Sequence, residues 1–192
     1  MEVQVKNLWK SYGGVQVLRD VTFTAGPGIT CIMAPSGAGK TTLLRILLGL
    51  ETADAGSVCG TEGCRWAAVF QEDRLLEHLD AAGNLRFALG PDYEADRALV
   101  LLAELGLEDM GRKPVREFSG GMRRRLALAR ALLAKSDALA LDEPFAGLDG
   151  GTRERARDCL IRRLGERPVL LVTHDPADAA GLGAEIVRLS GG

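Results

Sequence analysis

The sequence feature that most constrains the fold of this chain is a glycine-rich segment between an apolar run and a leucine-rich run. The apolar run covers residues 29–33, the next segment reads Ala34-Pro35-Ser36-Gly37-Ala38-Gly39-Lys40-Thr41, and leucines then recur as far as Leu50. A short apolar run is typical of a buried strand, and the leucine-rich stretch favours a buried helix. The sequence therefore predicts a strand, a glycine loop and a helix in direct succession.

This succession suits the binding of phosphate groups. Glycines let a backbone curl closely around a phosphate, and the following helix presents free N–H groups and the positive end of its dipole. Lys40 can then reach the outer phosphates, and the Thr41 hydroxyl can bind Mg²⁺. Ala34 stands where the usual pattern has its first glycine. Alanine is tolerated there without strain if its φ is negative, as we expect.

The rest of the chain alternates short apolar strands with helical patterns, which predicts an α/β fold with parallel strands and right-handed crossovers. Residues from about Asp80 to Leu107 have a helical pattern, which we interpret as part of a helical insertion. Ser119 is placed to cap a long helix that extends to about Ala134. Further strands are expected at about 3–8, 21–24, 57–59, 66–70, 138–141 and 168–173.

Polar residues that could act on a phosphate follow two of these strands. Asp142 and Glu143 end one apolar strand, and adjacent strand residues point to opposite sides, so we expect them to have different tasks. Asp142 is placed to hold the hydration shell of Mg²⁺, and Glu143 to act on a water that attacks the γ-phosphate. A solvated strand end is the alternative. His174 follows another strand, where it either caps the strand or hydrogen-bonds the transferred phosphate.

A second glycine-rich helix start reads Ser119-Gly120-Gly121-Met122-Arg123. It forms another cradle for an anion, with a helix dipole behind it. A generic phosphate-loop enzyme does not need two such devices. The sequence therefore indicates that each nucleotide is held by one device from each of two subunits.

Composition narrows the classes of function. The chain has 192 residues and a formal net charge of −2, which fits one domain and excludes a wholesale basic surface for nucleic acid. Four cysteines and two histidines without a C-x-x-C pair argue against a zinc site. Cys59 and Cys64 could pair only in an oxidising compartment, and four reduced thiols are expected. No signal-peptide pattern and no stretch of ~20 uninterrupted apolar residues is present, so another chain must supply any membrane-spanning part.

The predicted helix after Ser119 carries the run Arg123-Arg124-Arg125, followed by Arg130. Such a basic cluster either binds nucleic acid or forms a solvated helix face. No aromatic residues interleave with these arginines for base stacking. We therefore expect a solvated face and no nucleic-acid partner.

Together these motifs resemble those of the ATP-binding-cassette ATPases over essentially the whole chain. Residues 118–122 are similar to the L-S-G-G-Q signature of that family, with Phe118 for Leu and Met122 for Gln. Without that amide, contact across the dimer would depend on Ser119 and backbone N–H groups. Tyr12 stands where an aromatic residue stacks on adenine, and Gln71 matches the glutamine that senses Mg²⁺ and the γ-phosphate.

Two further residues carry the resemblance. Asp149, in Ala146-Gly147-Leu148-Asp149, is similar to the aspartate of the loop that crosses the dimer interface, and His174 to the switch histidine. The resemblance implies a P-loop NTPase with a mostly parallel central sheet, an antiparallel β edge and an inserted helical subdomain. It implies one domain, in which residues 1–71 and 119–192 form the ATP-binding core and about 72–118 the helical subdomain.

ATP and Mg²⁺ are the implied cofactors. Glu143, His174 and Gln71 are expected to be catalytic, and Thr41, Gln71 and Asp142 to hold the metal. The residues expected to bind the nucleotide are Tyr12, Ala34, Pro35, Ser36, Gly37, Ala38, Gly39, Lys40, Thr41, Thr42, Asp142, Ser119, Gly120, Gly121 and Asp149.

The resemblance also implies partners: transmembrane permease subunits, a separate solute-binding protein and an ATP-dependent head-to-tail dimer at the cytoplasmic face of the membrane. The segment from Phe70 to Leu76 is most similar to importers of nitrate, sulfonate or taurine type, which usually continue Pro-Trp where this chain has Glu77-His78. A DNA-repair or translation ATPase of the same family is one alternative. Another phosphate-loop protein, such as a nucleotide kinase, is the second.

Overall fold

The structure is a computed structural model that describes residues 2–35, 37–110 and 112–189. The described residues form two compact units. The first unit combines Met1–Ala68, Ser136–Glu143 and Glu166–Gly192, and the second combines Val69–Lys135 and Pro144–Gly165.

The strands and helices follow one another in the predicted order. The strands are β1 (Val3–Tyr12), β2 (Val15–Ala25), β3 (Ile29–Met33), β4 (Ala55–Cys59), β5 (Trp66–Val69), β6 (Ala138–Asp142), β7 (Val169–Val172) and β8 (Glu185–Arg188). The helices are α1 (Lys40–Leu47), α2 (Ala81–Leu89), α3 (Ala95–Glu104), α4 (Gly120–Leu133), α5 (Gly150–Arg163) and α6 (Pro176–Gly181). All four cysteines are free thiols.

Three strands form an antiparallel sheet in the order β2-β1-β4. Val3, Val5 and Leu8 of β1 are buried, as their alternation with polar residues predicted. β2 is longer than its apolar run, because the hairpin turn at Gly13 and Gly14 allows pairing from the turn onward, and both glycines have positive φ. The predicted antiparallel part of the fold is confirmed.

Five strands form the central sheet in the order β5-β6-β7-β3-β8. The pairs β6–β7, β7–β3 and β3–β8 are parallel, and every residue of β6 and β7 is buried. Val172 is in register with both Ile32 and Asp142. The carboxyl ends of β3, β6 and β7 therefore meet at one edge, the usual place for a ligand site in such a sheet.

The second unit contains α2, α3, α4 and α5. As predicted, residues 81–104 are mainly helical, and α4 begins after Ser119 and ends one residue before Ala134. Asn84 of α2 is buried and satisfied by backbone: its Oδ1 accepts from the Leu76 N–H at 2.8 Å, and its amide donates to the Leu76 carbonyl at 3.0 Å. This side chain fixes the segment that precedes α2.

Candidate nucleotide-binding site

The glycine loop connects β3 to α1 in the first unit. Gly39 caps α1 in the left-handed region, at φ 79°, and no side chain caps the helix. A Cβ on Gly39 would lie 2.6 Å from Leu18 Cδ2 and 2.7 Å from the Val17 carbonyl oxygen. Only glycine fits there, and within the described residues no side-chain cap occupies the start of α1, which is the arrangement that binds phosphate.

Lys40 folds over the loop. Its Nζ donates to the carbonyl oxygens of Ala34 at 2.6 Å and Pro35 at 3.1 Å, so the ammonium group lies against the loop backbone. Ala34 is not among the described non-glycine residues with positive φ, which agrees with the negative φ expected there. Ser36, predicted to bind phosphate, lies outside the described residues.

Thr41 and Asp142 meet, although 101 positions separate them in the sequence. The Thr41 hydroxyl donates to Asp142 Oδ2 at 2.8 Å, and Asp142 is only 3% exposed. Among the described residues no three His, Cys, Asp or Glu side chains cluster to hold a metal. One hydroxyl and one carboxylate nevertheless fit Mg²⁺, which takes few protein oxygens and completes its shell with water and phosphate.

Glu143 follows Asp142 and makes different contacts. Its φ is +49°, a strained value for a residue with a side chain, and its N–H donates to the Val172 carbonyl at 2.9 Å. Its Oε1 lies 2.7 Å from His174 Nδ1, and its Oε2 accepts from the Thr173 hydroxyl at 3.2 Å. The Glu143 side chain is 17% exposed and that of His174 is 69% exposed. The first unit therefore presents a half-buried carboxylate paired with an exposed imidazole.

Tyr12 ends β1 and is 42% exposed. A hydrogen bond to Glu51 raises the pKa of the Tyr12 phenol, and the phenol also hydrogen-bonds Thr42. Lys10 Nζ lies 5.2 Å from the ring centroid. The ring thus stands beside the first turn of α1, within reach of solvent.

Ser119, Gly120, Gly121 and Asp149 lie together in the second unit. Ser119 caps α4 by accepting from the Met122 N–H at 3.2 Å, and Gly120 is exposed. Asp149 caps α5, and hydrogen bonds from the Thr152 N–H and hydroxyl lower the pKa of its carboxyl. These residues line a pocket of about 600 Å³, here named the signature pocket, whose walls are Asp73, Ser119, Gly120, Gly121, Arg124, Arg125, Ala146, Gly147, Leu148, Asp149 and Thr152.

Gln71 also belongs to the second unit, whereas Thr41 and Asp142 belong to the first. Its side chain is exposed, and its backbone carbonyl accepts from Arg124 Nη2 at 2.7 Å. Its predicted part in metal binding stays a prediction.

The prediction of a solvated arginine face on α4 is wrong. Arg124 is 8% exposed and donates to the carbonyl oxygens of Phe70 and Gln71, both at 2.7 Å. Arg125 donates to the Leu105 carbonyl at 2.6 Å, and Arg130 to the Arg74 carbonyl at 2.7 Å. A guanidinium group carries five donors, so it can satisfy loop carbonyls that no helix or strand pairs.

Sequence reasoning missed two buried residues beside Glu143. Thr173 has no exposed surface, and Asp178 of α6 is 3% exposed. The Thr173 hydroxyl lies between the two carboxylates, 3.2 Å from Glu143 Oε2 and 3.4 Å from Asp178 Oδ2. The available signal was the position of Thr173 directly between an apolar strand and His174.

Comparisons with known proteins show which family the chain resembles over most of its length. The family model described as ABC transporter matches residues 18–146. The aliphatic sulfonates import ATP-binding protein SsuB 1 of Rhodococcus jostii is 43% identical over 186 residues, which cover 93% of this chain and 75% of that protein. The taurine import ATP-binding protein TauB of Yersinia pestis is 37% identical over 206 residues, which cover 99% of this chain and 80% of that protein.

One solved structure shows the same fold. An ABC transporter ATP-binding protein of Pyrococcus furiosus superposes with a TM-score of 0.86 at 20% sequence identity, and the match covers 98% of both chains. Among the described residues, no helix is long and apolar enough to cross a membrane.

The central sheet, the glycine loop and the carboxylates at the strand ends define a P-loop NTPase, which confirms the predicted fold class. The chain belongs to the ABC transporter family. It is an ATP-binding subunit that hydrolyses ATP, as predicted. The similar proteins are named as import proteins, which agrees with the prediction of an importer.

Proposed function

We propose that this chain drives import by closing head to tail with a second copy, or with a close relative, around two molecules of Mg-ATP. The observation that carries the proposal is the group of contacts at the ends of β6 and β7, where Thr41 meets Asp142 and His174 meets Glu143. Thr41 and Asp142 form a hydroxyl–carboxylate pair that suits a metal ion. Glu143, the residue after Asp142, carries a carboxylate that suits the activation of water. This is the equipment that hydrolysis of a phosphoanhydride needs.

The phosphate groups of ATP would bind at the glycine loop and the start of α1. Lys40 would leave the carbonyl oxygens of Ala34 and Pro35 and pair with the outer phosphates. Thr41 and Asp142 would hold the Mg²⁺ ion, which when bound neutralises charge on the phosphate oxygens. The exposed ring of Tyr12 offers a surface on which the adenine can stack.

Glu143 would position the attacking water and take its proton. A carboxylate suits this step, because it can accept a hydrogen bond from the water with one oxygen while its other oxygen stays fixed. His174 is mostly exposed and would hydrogen-bond the γ-phosphate through the ring nitrogen that does not face Glu143. Loss of the γ-phosphate then removes the partner of His174, which favours opening of the dimer.

The signature pocket would contact the ATP held by the other copy. The Gly120 and Gly121 N–H groups at the start of α4 and the Ser119 hydroxyl suit phosphate oxygens, and a Cβ on Gly120 would meet nothing within 4 Å. Met122 offers no side-chain amide, so the backbone N–H groups and Ser119 would carry the contact. The trans arrangement gives both glycine-rich helix starts a task.

Import requires membrane subunits that this chain does not contain in its described residues. We propose that the chain works at the cytoplasmic face of the membrane with permease subunits and a solute-binding protein, and that its helical subdomain at about 72–118 contacts the permease. The names of the similar proteins support a solute of the sulfonate class. Isolation of the native complex with its membrane subunits and bound solute tests this assignment.

The nucleotide-driven dimer is tested with Glu143→Gln. This variant keeps the size of the side chain but removes the base, so turnover should fall by more than about 100-fold. ATP should still bind, and light scattering should show the mass double when ATP is added but not when ADP is added. Lys40→Ala is the matched control, which should lose both nucleotide binding and dimerisation.

Two results would count against the proposal. Wild-type turnover of Glu143→Gln, with ATP still bound, would remove Glu143 from the reaction. A Glu143→Gln protein that binds ATP tightly and remains a monomer would remove the closed dimer.

A further inference from the structure

We infer that Thr173 is a positioning residue for Glu143, and that its hydroxyl is shared with a second buried carboxylate, that of Asp178. The inference rests on the proposed role of Glu143 as the base. Neither Thr173 nor Asp178 is among the motif residues on which the family resemblance rests.

Thr173 follows β7 directly and is completely buried. Its Oγ1 lies 3.2 Å from Glu143 Oε2 and 3.4 Å from Asp178 Oδ2, and it accepts from the Asp175 N–H at 3.1 Å. The hydroxyl has a single proton, so only one of the two carboxylates can accept it fully at a time. Both distances exceed the usual ~2.8 Å of an O–H···O hydrogen bond, as expected for a shared donor.

The contact with Thr173 gives the second oxygen of the Glu143 carboxylate a hydrogen-bond partner. Its Oε1 faces His174 Nδ1 at 2.7 Å, and its Oε2 faces the Thr173 hydroxyl. A carboxylate held at one oxygen can still turn about its last torsion, which has a broad energy profile. A carboxylate held at both oxygens presents a defined lone pair to the water it must deprotonate, and that precision is what general base catalysis needs.

Asp178 gives the Thr173 hydroxyl a second hydrogen-bond acceptor. It lies on α6 with 3% of its surface exposed. Burial, together with the negative charges of Asp178 and Glu143, raises the pKa of the Cys31 thiol to about 11. When Thr173 donates to Asp178, Glu143 Oε2 loses its donor and the carboxylate can turn. The shared proton can therefore hold or release the base without any backbone movement.

A purely structural role for Thr173 makes a different prediction. Its contact with the Asp175 N–H also closes the turn that leads into α6. If that were its only task, removing the hydroxyl would lower stability and leave the turnover of the folded protein unchanged.

The test uses Thr173→Val, which has the same shape without the hydroxyl, and Thr173→Ser, which keeps the hydroxyl. For Thr173→Val we expect kcat for ATP hydrolysis to fall by about tenfold or more, because a hydrogen bond to a charged group is lost. KM and ATP affinity should stay within about twofold, since the Thr173 side chain is completely buried. Thr173→Ser should restore kcat to within about threefold of wild type. Circular dichroism confirms folding, and Thr173→Ala replaces the valine variant if that one is insoluble.

The double variant Thr173→Val/Glu143→Gln shows whether Thr173 acts through Glu143. In single-turnover assays it should be no slower than Glu143→Gln alone, because the group that Thr173 holds is already absent. Wild-type kcat in Thr173→Val, a failed rescue by serine, or a further loss in the double variant would overturn the inference. Wild-type turnover in Glu143→Gln would instead overturn the proposed function, so the two failures are distinguishable.

Discussion

Gly37 and Gly39 illustrate how much a single residue of the phosphate loop is constrained. Both have positive φ, at 83° and 79°. A Cβ on Gly37 would meet nothing within 4 Å, whereas one on Gly39 would collide with Leu18 and with the backbone of Val17. Gly37 and Gly39 therefore share a backbone conformation, but a side chain would cost more free energy of folding at Gly39 than at Gly37.

We predict that Gly39→Ala lowers the free energy of unfolding by about 3 kcal/mol, because backbone strain and overpacking add. Gly37→Ala, the matched control, should cost only about 1 kcal/mol, since it carries the strain alone. Urea denaturation of the two variants measures both values. Equal losses would show that the packing of Gly39 against β2 does not constrain the loop.

The role of a residue could be predicted from the sequence where it depends on neighbours in the chain. It could not be predicted where it depends on a contact with a distant residue. The negative φ of Ala34 and the capping role of Ser119 follow from neighbours within a few positions. Thr173 gains its significance from Glu143, 30 positions away, and its position between an apolar strand and His174 does not by itself predict that contact. A threonine after an apolar strand is too common to indicate a function.

At the scale of one element, α4 links two parts of the candidate site. It begins at Gly120, directly after its N-cap Ser119, and its second turn carries Arg124 to the carbonyl oxygens of Phe70 and Gln71. Arg124 also pairs with Asp73 at 3.1 Å, where burial raises the pKa of the Asp73 carboxyl. The start of α4 and the Gln71 segment are thereby tied to one guanidinium group.

We predict that Arg124→Ala lowers the free energy of unfolding by about 3 kcal/mol, since it leaves two carbonyls and a half-buried carboxylate without their donor. Hydrogen exchange should also become faster at residues 70–74. Arg123→Ala is the matched control: it loses a partly exposed ion pair with Glu77 and a hydrogen bond to the Arg116 carbonyl, which should cost at most about 1 kcal/mol. Unchanged exchange at 70–74 in Arg124→Ala would contradict this link.

The bounds of α4 were predictable, and its contacts were not. Helix starts and ends depend on caps and apolar spacing, which lie within the segment. Whether an arginine on that helix meets water or loop carbonyls depends on residues more than 50 positions away. The net charge and the lack of aromatic neighbours argued against nucleic acid, but they could not distinguish a solvated face from a buried one.

At the scale of the whole molecule, the two units carry different groups of proposed nucleotide-binding residues. The first contains Lys40, Thr41 and the carboxylates at the strand ends, and the second contains the signature pocket. If every ATP is held by the first unit of one copy and the second unit of another, one site can be disabled from either side. In a mixed dimer, a defect in the first unit of one copy and a defect in the second unit of the other copy then fall in the same site, and the other site stays intact.

The proposed trans arrangement would make two inactive variants complement each other. Lys40→Ala disables the phosphate loop, and Gly120→Asp places a negative charge where the other copy's phosphates would lie, at an exposed position with free space. Aspartate is also favourable at the start of a helix, so folding should be preserved. In a mixed dimer, one site combines both defects, and the other combines an intact loop with an intact signature pocket.

We therefore predict that each variant alone hydrolyses almost no ATP and that mixing them restores turnover. The restored rate should rise with the fraction of mixed dimers, measured by differently tagged copies. Mixing Lys40→Ala with Thr41→Ala is the control, because both defects lie in the same half and neither site of that mixed dimer has an intact loop. If the first mixture stayed inactive although the two variants formed mixed dimers, each chain would have to bind and hydrolyse ATP with its own residues alone.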